Sequence, residues 1–220
     1  MSSSIISVTN IIILFTVLVS LAAFNNMDLF LKLRHHPYTE SRQKQYYRWL
    51  TSGFVHADYW HLGINMFVLW QFGNTVEKLY LQEFGVKGMF LYLTMYLTAI
   101  IFADLPTFRK HKDNPAYAAI GASGAVSAVV FTFILFYPWA KFFIYGIIPL
   151  RAIVAGVLYL IYEQWASKNA KDNVGHDAHF TGAIYGILFI VVLNPSIYND
   201  FVDRLIYEMP SLQEIFFFSY

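Results

Sequence analysis

The chain has 220 residues, 57% of them hydrophobic and 19% aromatic, and only 13% carry charge; soluble domains have about 25% charged residues, so water is not the expected main solvent. A formal net charge of +1 supplies no basic field of the kind nucleic-acid binding needs. The absence of cysteine excludes a disulfide framework and a thiolate metal cluster, so chemistry has to come from Ser, His, Asp, Glu, Lys or Tyr.

Mapping charge-poor runs against the roughly 20 apolar residues that a spanning helix needs predicts six helices, near residues 5–24, 59–76, 88–103, 121–137, 152–165 and 178–193. The first, from Ile5 to Phe24, lacks the basic start and cleavage site of a signal peptide and reads as a retained helix. Between it and the second lies a stretch, 25–58, too polar to span. Tyr46, Tyr47, Trp49 and Phe54 suit a substructure at the headgroup boundary, where amphipathic rings are favoured. Pro115 and Pro138 bracket the fourth helix, and Asn194 and Pro195 stop the sixth. A mixed tail, 198–220, carries Phe216, Phe217, Phe218 and Tyr220, for which an interfacial anchor is the simplest role. No repeat interrupts the pattern, and 1–220 reads as one all-α membrane domain.

Polar side chains at membrane depth are costly and mark places that face protein or a water-filled cavity. Three groups stand out. His61 and Asn65 are four residues apart and share a helical face. His179 opens the sixth helix, followed by Gly182 and Gly186, whose spacing permits close backbone approach. Gly121-Ala122-Ser123-Gly124 sets a hydroxyl at a helix start, where unpaired N–H groups and positive partial charge suit an oxyanion. Serine needs a neighbouring base, and histidine titrates in the useful range. Taken singly, each signal has a plainer reading: a helix cap for Ser123, an interhelical hydrogen bond for His61 or Asn65, ordinary packing for the glycines.

Taken in order, the residues resemble the rhomboid family from Arg48 to Gly186. Arg48-Trp49-Leu50-Thr51-Ser52-Gly53-Phe54-Val55-His56 with His61-Leu62-Gly63-Ile64-Asn65-Met66 is similar to the family's first-loop and second-helix signature. Gly73-Asn74-Thr75-Val76-Glu77 resembles the pattern ending that helix, Gly121-Ala122-Ser123-Gly124 the nucleophile motif, and Ala178-His179-Phe180-Thr181-Gly182 with Gly186 the sixth-helix motif. The resemblance implies a six-transmembrane-helix bundle and an intramembrane serine protease of prokaryotic type. Ser123 would be its nucleophile and His179 its base, without a third carboxylate; Asp177 is not promoted to that role. It implies that His61, Asn65 and the Ser123 N–H stabilise the oxyanion, and that Arg48, His56, Glu77, Gly121, Gly124, Gly182 and Gly186 are structural. Transmembrane protein substrates and the bilayer are the implied partners, in a multi-pass protein of a prokaryotic cell membrane, with no cofactor. The alternative is a non-catalytic relative that binds membrane clients; a small transporter would call for further buried charges or broken helices.

Two departures add expectations. Many rhomboids carry an aromatic ring four residues after the nucleophile, but this chain has Ser127, so another ring is expected to orient His179. His176 and His179 are three apart and could pair on a metal; with no cysteine and no nearby carboxylate set in view, zinc is the weaker reading. Family topology puts both termini in the cytoplasm and the site outside. Lys32, Arg34, Arg42, Lys44, Arg48, Arg109, Lys110, Lys112, Lys168 and Lys171 would then lie outside, against the positive-inside bias. A folded interfacial element holding several of them would reconcile the two.

Overall fold

The computed structural model describes residues 7–144, 148–170 and 174–211. Ile5, Lys171, Phe216, Phe217, Phe218 and Tyr220 lie outside the described residues. In chain order come α1 (Val8–Phe24), α2 (Met27–Leu33), α3 (Pro37–Gln43), α4 (Arg48–Thr51), a 3-10 turn (Ser52–Phe54), α5 (Tyr59–Phe84), α6 (Lys87–Ala103), α7 (Leu105–His111) and α8 (Ser123–Phe136). Strands β1 (Lys141–Ile144) and β2 (Ile148–Arg151) follow, then α9 (Ala152–Asn169), α10 (His176–Leu193) and α11 (Ser196–Tyr207).

The protein is mostly helical, and the all-α expectation holds apart from one hairpin, in which β1 and β2 pair antiparallel with Lys141 opposite Arg151 and Phe142 opposite Leu150. The run Lys141-Phe142-Phe143-Ile144 is rich in strand-forming residues, and Phe142 packs against Phe72 and Phe133 at ring separations of 5.0 and 5.9 Å. A second correction concerns the helix expected to end at Val76. Helix α5 continues to Phe84 and stops where Gly85 takes a φ of +61°, a conformation that glycine adopts without strain. Gly73 does not stop the helix; a Cβ there would lie 2.7 Å from Thr9 and 2.9 Å from the Tyr92 hydroxyl. It is the close crossing point of α1, α5 and α6. The expected mixed tail also contains α11, whose Ile197 is buried in the core.

Among the described residues two stretches, Lys87–His111 and α10, are long and apolar enough to cross a bilayer, while α1 and α8 are apolar but shorter. Helix α8 is short for a reason of position: it contacts α5, α6, α9, α10 and α11, and almost its whole surface is buried. Its solvent is protein. Outer helices carry the lipid-compatible surface instead. On α1, Ile11, Leu14, Phe15 and Leu18 are exposed at i, i+3, i+4 and i+7, and on α5 so are Ile64, Phe67 and Trp70. Such an apolar exterior is unsuited to water.

The connection from α1 to α5 is a folded element. The Arg48 guanidinium donates to the carbonyls of Leu31 (2.7 Å) and Arg34 (3.1 Å) and to Gln45 Oε1 (2.8 Å). Glu40, fully buried, accepts from Trp49 Nε1 at 2.8 Å and from the His36 N–H at 2.7 Å, and meets His35 Nδ1 at 2.9 Å. Burial alone would lower the His35 pKa, but the hydrogen bond to Glu40 and the charges of Asp104 and Glu40 outweigh it and hold the imidazole above its ordinary value. His35 and Ala119 exchange backbone hydrogen bonds of 3.0 Å, and the Gly121 N–H donates to Ser52 O at 3.0 Å. The loop is thereby fastened to the residues that lead into Ser123.

Candidate active site

Ser123 is the first residue of α8, and the approach to it is built by contacts from α1 and the first loop. Gly121 has a φ of +112°, and a Cβ there would lie 2.7 Å from the His61 ring. Only glycine serves at this position, on both backbone and steric grounds. The next N–H, of Ala122, donates to His56 Nε2 at 3.3 Å. His56 Nδ1 lies 3.0 Å from Ser20 Oγ, which donates to Phe54 O at 2.9 Å. The serine proton is committed to that carbonyl, so His56 donates from Nδ1 and accepts at Nε2, as neutral imidazole. His56 lies between the 3-10 turn and α5 and is fully buried; burial, and then the charge of His61, push its pKa down to about 3 against the opposing pull of Asp58. It is a neutral strut holding the residue before the nucleophile candidate.

Ser123 Oγ lies 2.6 Å from His179 Nε2. Two close approaches of α8 and α10 bring them together: a Cβ on Gly182 would sit 2.0 Å from Gly124 O, and one on Gly186 would sit 2.2 Å from Ala128 O. On the other side of Gly124, a Cβ would meet that of Ala103 at 2.5 Å. Backbone therefore touches backbone, the packing that small residues allow between membrane helices.

His61 lies against Gly121 and 4.9 Å, ring to ring, from His56. Asn65 is buried one turn on and donates from Nδ2 to His61 O at 2.9 Å, leaving its second amide hydrogen for another acceptor. Arg48 joins the first-loop carbonyls described above. Glu77 accepts from the N–H groups of Val8 and Thr9 and from Thr9 Oγ1, each at 2.9 Å. It ties the start of α1 to the middle of α5, rather than the end of the second helix as the motif suggested.

The surroundings of His179 depart furthest from expectation. Its Nδ1 lies 3.1 Å from Glu163 Oε1, and the other oxygen of Glu163 is 2.6 Å from His176 Nδ1. The expectation of no carboxylate beside the histidine is corrected by this contact. Asp177 does stand apart, accepting from Ser167 and, at 3.2 Å, from Lys110. The aromatic support missing at Ser127 comes from Tyr159, whose ring lies 6.4 Å from that of His179 with 23° between their planes, and whose hydroxyl is 3.0 Å from Ser127 Oγ. Tyr159 and Glu163 are four residues apart and share one face of α9. A signal for Glu163 was available, since an acidic residue inside an apolar helix is a functional-site candidate by its cost alone.

Glu163, His176 and His179 also present three ligand atoms within 4.8 Å of one another, a donor set that zinc accepts. A carboxylate does stand beside the two histidines, so its lack is no ground against zinc.

The fold and site are those of a helical membrane protein with a serine and a histidine in hydrogen-bond contact at a helix start. The model of the rhomboid domain matches residues 43–196, well over half of the chain, and the protein belongs to the rhomboid family. It is 30% identical over 146 residues to rhomboid protein 1, mitochondrial, of Saccharomyces cerevisiae, covering 63% of this chain and 39% of that one. Against rhomboid-like protein 11, chloroplastic, of Arabidopsis thaliana, it is 29% identical over 161 residues, 68% of this chain and 53% of the relative. With the human presenilin-associated rhomboid-like protein, mitochondrial, identity is 26% over 152 residues, 64% and 36% of the two chains. The matches thus span about a third to a half of these curated relatives. Their names are organellar, and the expectation of a prokaryotic cell membrane finds no support in them.

Proposed function

We propose that the protein is an intramembrane serine endopeptidase that hydrolyses peptide bonds in or beside transmembrane segments of other membrane proteins, with Ser123 as nucleophile and His179 as general base. The observation that carries this reading is the 2.6 Å contact between Ser123 Oγ and His179 Nε2 at the N-terminus of a buried helix. His179 takes the hydroxyl proton as Oγ attacks the scissile carbonyl, returns it to the leaving amine, and then activates the water that cleaves the acyl-enzyme. The tetrahedral oxyanion is met by the Ser123 N–H, an orphan donor of the first helical turn, and by His61 and the free amide hydrogen of Asn65. In this reading Arg48, His56, Glu77 and the four motif glycines hold the scaffold. Helices α1, α5, α6, α8, α9 and α10 form a six-helix membrane bundle, and no metal or cofactor takes part.

The test is cleavage of a model transmembrane substrate in liposomes by the native chain and by Ser123→Ala. Cleavage by the native chain alone is expected, and equal cleavage by both overturns the serine mechanism. The alternative, a rhomboid relative that binds membrane clients without cutting them, predicts an unreactive Ser123. Fluorophosphonate labelling of Ser123 that is lost in His179→Ala decides against it.

A further inference from the structure

The contacts of Glu163 exceed what a serine and histidine pair requires. Its side chain is 4% exposed, between two imidazoles that are 6% and 15% exposed, and each of its oxygens meets a different Nδ1. A carboxylate so desolvated needs partners for both oxygens. Here both partners are histidines of the first turn of α10, and one of them is the base already in contact with Ser123.

We propose that Glu163 is the positioning carboxylate of His179, so that the site works as a Ser123, His179 and Glu163 triad whose third member is itself anchored by His176. This rests on the protease reading above. Glu163 Oε1 accepts the Nδ1 proton of His179, which selects the tautomer with a bare Nε2 facing the serine hydroxyl, and it stabilises the imidazolium that forms when Nε2 takes the serine proton. His176 holds Oε2, so the carboxylate cannot rotate away from its task. Tyr159, one turn earlier on the same helix, lies along the His179 ring. Helix α9 thus supplies both the plane and the tautomer of the base.

The same atoms argue against a resident metal. An ion on Nδ1 of His179 would take the lone pair there, force the remaining proton of the neutral ring onto Nε2, and leave nothing to accept the proton of Ser123. Metal binding at this cluster and base action by His179 exclude each other.

The experiment compares the full chain with Glu163→Gln and Glu163→Asp in liposomes, reading kcat, KM and the rate of fluorophosphonate labelling of Ser123. The two imidazoles approach different oxygens of Glu163, and in glutamine one of those positions is an NH2 that donates and cannot accept. Glu163→Gln is expected to lower kcat and labelling on the order of 10²- to 10⁴-fold with KM nearly unchanged, and Glu163→Asp to fall between it and the native chain. Labelling and kcat at native levels in folded Glu163→Gln overturn the proposal while leaving the protease reading intact. A native chain that neither cleaves nor labels overturns both. Should Glu163→Gln fail to fold, ¹⁵N NMR of histidine-labelled native protein decides: the neutral His179 ring is expected to be protonated at Nδ1, and protonation at Nε2 overturns the proposal. Activity abolished by EDTA and restored by zinc also overturns it.

Discussion

The hydroxyls of Ser127 and Tyr159 are 3.0 Å apart, which joins the position where family members carry an aromatic ring to the ring that lies along His179 in this chain. The pair divides one task between two helices: α8 contributes a small hydroxyl and α9 contributes the aromatic surface.

That division can be taken apart by mutation. Tyr159→Phe keeps the ring and leaves Ser127 Oγ without this partner, a loss of about 1 kcal/mol in stability, with Ser123 labelling within about threefold of native. Tyr159→Ala removes the ring as well. Labelling should then fall on the order of tenfold or more, since poor positioning of a reacting group is costly in rate, and stopped-time fluorophosphonate assays measure both.

Gly186→Ala tests the backbone contact between α8 and α10. Its Cβ would lie 2.2 Å from Ala128 O, and main chain yields less readily than a side chain. A loss of about 1–3 kcal/mol is expected from overpacking, together with slower Ser123 labelling because the helix carrying His179 is pushed outward. Gly63→Ala is the control. A Cβ at Gly63 meets nothing within 4 Å, and the substitution should stabilise α5 by up to about 1 kcal/mol; thermal unfolding in micelles reads both variants.

Glu77→Ala removes three acceptor contacts from the start of α1 and leaves buried donors unpaired. The expected cost is about 1–3 kcal/mol per unsatisfied group, so a marked drop in unfolding temperature follows. Protein that remains folded should still label at Ser123, because Glu77 lies outside the reacting atoms.

His56 predicts acid lability with a definite sign. Its folded pKa of about 3 lies below the unfolded value of about 6.5, so the unfolded chain binds the extra proton. The contribution of neutral His56 is fully present above about pH 6.5 and is lost as pH falls towards 3, at roughly 1.4 kcal/mol per pH unit. Unfolding temperature measured between pH 7 and 4 should decline less steeply in His56→Gln than in the native chain.

Much of the site was legible because its residues sit in short local patterns. The Gly121 to Gly124 run, the four-residue step from His61 to Asn65 and the glycines after His179 each depend on neighbours a turn or less away. Glu163 was not legible in that way. Its partners are 13 and 16 residues distant, and helix α9 has no motif of its own, so only the cost of an acid in an apolar helix pointed to it. The end of α5 is hidden for a related reason: Gly73 serves a crossing with Thr9 and Tyr92 that no local pattern records. The hairpin leaves no mark in the lengths of the apolar runs, because each strand has four residues.

The charge asymmetry of the loops also takes on a different meaning. Arg48 spends its donors on carbonyls within the first loop, Arg42 pairs with Asp113 at 3.1 Å and Lys110 with Asp177 at 3.2 Å. These cations belong to a folded element, and counting them as free loop charges overstates their claim on orientation.

The contact between Glu77 and the start of α1 sets an order of events during synthesis. The N–H of Val8 finds its acceptor 69 residues later in the chain, and at roughly 5–20 residues per second that acceptor emerges on the order of ten seconds after the donor. For that interval α1 has its apolar face but lacks the carboxylate that satisfies its first turn, and the N–H groups of Val8 and Thr9 must turn to water or another acceptor. The place of α1 in the fold is provisional until Glu77 of α5 has been made.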